Sequence, residues 1–108
     1  MADEPLFLCR IQLTRPALLT AGPTAEESAI MAQHAAHIER LAAADVVLLA
    51  GRTLNPDPSC FGIVVLQAAD AAAAQAIVDG DPGVRAGLWR AELFPFRIAF
   101  RGGALRTA

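Results

Sequence analysis

Two apolar runs in the middle of the chain, VVLLAG at 46–51 and FGIVVLQA at 61–68, follow one another with no helical segment between them. Only RTLNPDPS and Cys60 separate them, and the two prolines, asparagine and aspartate of that stretch mark a turn-rich loop. Short apolar runs bounded by glycine and proline read as buried strands. On either side lies an alanine-rich helix. Thr24 followed by Glu27 is a capping-box pattern, and residues 25–44 behind it form the best helix in the chain. Asp70 can cap the second helix, AAAAQAIV, which stops near Gly80. The outermost segments are again strands. PLFLCRIQLT at 5–14 alternates, with Phe7, Cys9, Ile11 and Leu13 on one face. LWRAELFPFRIAF at 88–100 is interrupted by Pro95, which belongs at a sheet edge or bulge. Residues 15–23, with Pro16, Gly22 and Pro23, read as a loop, and Asp81-Pro82 has the chemistry of a short helical turn reaching about Gly87.

The resulting order, β-α-β-β-α-β, is the split βαβ pattern of the α+β, ferredoxin-like fold, with a four-stranded antiparallel sheet and two main helices on one face. The 108 residues suit a single domain spanning 1–108, with a core from about 5 to 100 and a short flexible C-terminal tail. Two helices cover only one face of the sheet, yet the first strand also carries Leu6 and Leu8 on the other. With 55% hydrophobic and 19% charged residues there is little polar surface to spread over that second face. A homodimer closing sheet on sheet is the expected solution.

Charge narrows the partners. Nine arginines, no lysine and a net charge of −2 supply no basic stripe, so nucleic acid is not an expected partner. MADEPLFLCR lacks the positive opening of a signal peptide, and no run approaches the roughly 18 apolar residues that span a membrane. Cys9 and Cys60 form neither a disulfide framework nor a CxxC pair, and a reducing cytoplasm is the expected setting.

His34 and His37 are the only histidines. At about 100° per residue, Ile30, His34, Ile38 and Leu41 form one narrow stripe, while His37 lies roughly 60° away at its margin. His34 should therefore point between helix and sheet, and His37 should reach water. His34 is then either a core histidine bonded to a carbonyl or a general acid/base titrating near neutrality. A zinc site would need Cys9 and Cys60 from separate strands with no local ligand motif, so no metal is expected. Asp81 is a helix cap by position, but one carboxylate oxygen can cap while the other orients an imidazole. Arg10 sits on a strand covered on both faces, so its guanidinium must be paired or line a solvated cleft. The cysteines read as small buried hydrophobes.

The runs HAAHIERLAAADVVLLAG, FGIVVLQAADAAAAQAIV and DGDPGVRAGLWRAELFPF, with FLCRIQLTRP at the start, resemble the YCII-related proteins of the dimeric α+β barrel superfamily. The resemblance covers about 5 to 100 and rests on the order and spacing of these segments. It implies that His34 and Asp81 are the His-Asp pair of an active-site cleft, performing lyase- or isomerase-type proton transfer on a small hydroxylated molecule without a cofactor. Arg10, Arg52 and His37 are then the substrate-binding candidates, the arginines holding an anionic or phenolic oxygen. The alternative is a non-catalytic small-ligand-binding or accessory domain using the same cleft. Three positions depart from the family pattern: Arg52 stands where proline is usual, Asp45 where glycine is common, and Gly83 where a larger residue often follows Asp-Pro.

Overall fold

The computed structural model describes residues 4–107; the first three residues of the opening segment and Ala108 of the tail lie outside it. The elements run β1 (Leu6–Leu13), α1 (Ala17–Ala21), α2 (Ala25–Ala43), β2 (Val47–Arg52), β3 (Gly62–Gln67), α3 (Ala71–Asp79), α4 (Pro82–Arg85), β4 (Trp89–Phe96) and a 3-10 turn (Gly103–Thr107). The four strands form one antiparallel sheet in the order β2-β3-β1-β4. This is the ferredoxin-like arrangement expected from the sequence, with β4 at an edge and Pro95 opposite Phe7. Among the described residues no helix is long and apolar enough to cross a membrane.

Alternation along β1 and β3 fixes the two faces of the sheet. Phe7, Cys9, Val64 and Leu66 meet Ala74 and Val78 of α3 in the main core, where Leu66 is only 1% exposed. A second cluster joins Leu18 of α1, Leu88 and Trp89. The opposite face carries Leu6, Leu8 and Arg10 of β1 against Phe96, Phe94 and Glu92 of β4, directly across the ladder.

The capping box of α2 is formed in both directions: Glu27 N–H donates to Thr24 Oγ1 at 3.1 Å, and Thr24 N–H donates to the Glu27 carboxylate at 2.9 Å. The helix leaves through Asp45 at φ 60°, the one left-handed non-glycine residue among those described. Glycine is the residue that adopts this conformation most readily, and a short aspartate is among the few other side chains that tolerate it.

Two expectations are corrected. Residues 15–23 are not all loop, because α1 forms at 17–21 and buries Leu18 beneath Trp89. The last strand ends at Phe96 rather than 100, leaving Ile98 and Phe100 exposed. Within the C-terminal tail, Gly103–Thr107 form a 3-10 turn.

One irregularity positions the site. β3 pairs with β1 only as far as Ile11 opposite Gly62, while Gln12 and Leu13 pair with β4 alone. The end of β1 therefore projects past β3 and leaves a notch against the loop joining β2 to β3. Gly62 keeps the strands close at its neck, since a Cβ there would stand 2.9 Å from Ile11 Cγ1.

Candidate active site

A cleft of about 420 Å³ opens at this notch, lined by His34, Trp89, Leu18, Arg52, Thr53 and Phe61 among others. That volume suits a small organic ligand. Its walls come from the end of β1, the middle of α2, the start of β4, the short α1, and the facing ends of β2 and β3 with the loop between them.

Asp81 lies at the Ncap of α4, with Pro82 at N1, so its carboxylate is pinned by local backbone geometry. Oδ2 accepts the N–H groups of Gly83 at 3.0 Å and Val84 at 3.1 Å, and also the indole N–H of Trp89 at 3.1 Å. Oδ1 meets Nδ1 of His34 at 2.5 Å. Asp81 is 6% exposed, and burial alone would favour its neutral acid. The bond and charge of His34, the Trp89 N–H and the Val84 amide outweigh that cost and hold the carboxyl below the ordinary aspartate range.

An ionised carboxylate only accepts, so Nδ1 of His34 must carry the hydrogen and donate it. In the neutral ring that leaves Nε2 as a bare lone pair. Among the described residues nothing bonds this atom, which is not buried and belongs to a ring that lines the cleft. The ring plane is held by Trp89, whose ring meets His34 edge-on at 4.6 Å between centroids and 79° between planes. An imidazole held in this way, with an orienting carboxylate behind it, has the geometry that proton transfer at Nε2 requires.

The other named residues divide. Arg52, exposed at the end of β2, lines the same cleft as His34. Arg10 does not join them. It stands on the face without helices, 5.0 Å from the centre of the Phe61 ring and 3.8 Å from Glu92. His37 is half-buried, as its place at the margin of the stripe implies, but its Nε2 is closed off without a hydrogen-bond partner, beside a void of about 30 Å³ behind the His34–Asp81 pair. Cys9 borders that void too, and burial, with the nearby Asp81 charge, pushes its thiol up to about 11. It is therefore a thiol and not a thiolate at neutral pH. Cys60 lines the larger cleft, and among the described residues no three histidine, cysteine or carboxylate side chains converge as a metal ligand set would.

Sequence reasoning missed Trp89. The signal available was its uniqueness: a lone tryptophan opening an edge strand must find an acceptor for its N–H once buried, and Asp81 is the nearest carboxylate before it in the chain.

The chain is similar in fold to 5-chloro-2-hydroxyhydroquinone dehydrochlorinase (TftG) from Burkholderia phenoliruptrix AC1100, solved in complex with 2,5-dihydroxybenzoquinone. The two are 22% identical, the match covers 85% of this chain and 93% of that one, and the TM-score is 0.63. SnoaB from Streptomyces nogalater, a cofactor-independent oxygenase, matches at 18% identity over 94% of this chain and 100% of its own, with a TM-score of 0.50. No curated protein matches the chain by sequence. The family model of the YCII-related domain matches residues 6–97, which contain every element from β1 to β4 and both His34 and Asp81. The chain belongs to the YCII-related domain family.

Proposed function

We propose that this protein is an acid/base enzyme of lyase or isomerase type, acting without a cofactor on a small hydroxylated cyclic molecule. The observation that carries the reading is the 2.5 Å contact between His34 Nδ1 and Asp81 Oδ1 at the wall of an otherwise open cleft. Nε2 takes a proton from a hydroxyl or an activated carbon of the substrate, and Asp81 stabilises the imidazolium that forms. The same proton then returns to a leaving group or to a neighbouring atom. Arg52 is the cation placed to hold a phenolate or carboxylate oxygen. Arg10 has no part in this reading, because it stands on the other face of the sheet. TftG, whose fold is similar, was solved with a dihydroxyquinone bound, which makes that class the first to try.

The reading includes a second copy. Phe94 and Phe96 are 45% and 37% exposed on the face without helices, in line with Leu6 and Leu8. A sheet-on-sheet homodimer in a reducing cytoplasm covers them.

The test uses hydroxylated quinones and hydroquinones, beginning with 2,5-dihydroxybenzoquinone. NMR in deuterated water follows both binding and exchange of carbon-bound hydrogen. His34→Asn is expected to slow exchange or turnover about 10²- to 10⁴-fold, the usual contribution of a positioned base, with binding little changed. Undiminished turnover in His34→Asn would sink the proposal. Tight binding with no chemistry for any member of the panel would favour the ligand-binding or accessory reading.

A further inference from the structure

We infer that Trp89, admitted to its place by the absence of a side chain at Gly83, is a positioning residue that sets how Asp81 holds His34. The inference rests on the acid/base reading of the pair, but its evidence is separate. A Cβ built on Gly83 would stand 2.2 Å from Trp89 Cζ2 and 2.7 Å from Nε1. No real contact is that short, and an indole is rigid, so any side chain at 83 displaces the ring. Displacement breaks the 3.1 Å bond from the indole to Asp81 Oδ2 and the edge-on contact with His34 together.

The indole divides the carboxylate. With two backbone N–H groups and the indole N–H on Oδ2, that oxygen is fully engaged, and Oδ1 alone is left for the imidazole. The carboxylate cannot rotate to offer His34 both oxygens, and the imidazole cannot turn without striking the indole edge. The other titratable groups near the pair are Cys9 from β1 and His37 from α2, both on the void behind it. Neither bonds Asp81. Among the described residues Trp89 is thus the one side chain besides His34 that donates to this carboxylate.

The experiment is NMR on the full chain, following the Asp81 carboxyl carbon and the His34 ring nitrogens through a pH titration, with thermal unfolding alongside. Trp89→Phe keeps an aromatic ring and removes the donor. The Asp81 midpoint is expected to rise by about one pH unit, the size of a lost hydrogen bond to a charged group. The neutral His34 ring should keep its hydrogen on Nδ1, because the carboxylate still accepts it, but the ring-nitrogen resonances should shift as the carboxylate becomes free to turn. Gly83→Ala should raise the Asp81 midpoint in the same direction while keeping the tryptophan, at a larger loss of thermal stability. Gly83→Ala combined with Trp89→Leu should recover much of that stability without restoring the midpoint, separating positioning from packing. An unchanged Asp81 midpoint and an unchanged His34 nitrogen pattern in a folded Trp89→Phe would overturn the inference. Neither readout needs turnover, so a failed acid/base reading shows instead as full activity in His34→Asn.

Discussion

At the scale of single residues, Asp81 does the most with the least. One buried carboxylate caps α4, receives the only indole and orients the only histidine that borders the larger cleft. Asp81→Ala leaves two backbone amides and a buried indole N–H without their acceptor, and should cost about 2–4 kcal/mol of stability in a urea titration. Its depressed pKa also fixes the sign of the acid response. The stabilisation it supplies is present above the ordinary aspartate value of about 3.9 and is lost as pH falls through the lower folded value. In Asp81→Ala the acid unfolding curve should be correspondingly flatter. The inward aim of His34 was legible from helical periodicity, because 100° per residue is a local property. That it meets Asp81 was not: the two are 47 residues apart, and only the family resemblance joined them. The marginal, half-buried place of His37 was legible in the same way as the aim of His34, but that its Nε2 is closed off was not. A residue at the margin of a stripe is buried or exposed according to what packs beside it, which its own helix does not record.

At the scale of elements, the sheet order, both main helices and the edge position of β4 followed from period and punctuation. The short α1 did not. Five residues between Pro16 and Gly22 carry no helical period of their own, and they hold together through tertiary contacts: Leu18 under Trp89, and Arg15 bonded to Glu27 at the start of α2. That bond is the first cause holding the Glu27 carboxyl down at about 2, with the Thr24 amide next. Glu27 thus ties α1 to the capping box of the helix that carries His34. Glu27→Gln should speed hydrogen exchange at Leu18 and Leu19, whose amides bond Arg15 and Pro16 carbonyls, while leaving the middle of α2 protected. Equal protection in the variant would mean that α1 is held by Leu18 alone. Arg10 marks the other limit of reading elements from sequence. Alternation along β1 put it on the face opposite Cys9, but which face holds the cleft depends on where the helices pack.

At the scale of the whole molecule, one face of the sheet is sealed by helices and the other is lined by Leu6, Leu8, Phe94 and Phe96. Phe94→Asp should turn the proposed dimer into an 11 kDa monomer by sedimentation, with the fold and the His34–Asp81 contact retained. A dimer of unchanged affinity in that variant would place the interface elsewhere. A deeper change, Leu66→Ala in the central strand, should cost about 2–5 kcal/mol whatever the oligomeric state, because that side chain is closed off within one copy. The chain also holds a single tryptophan and no tyrosine, and that tryptophan lies in the cleft wall against His34. Its ultraviolet emission is therefore one signal from one place, open to quenching by a protonated imidazole or by a ligand stacked beside it. Compounds can be screened by fluorescence on the unlabelled protein before any reaction is known, and the same lamp reads the ionisation of the pair.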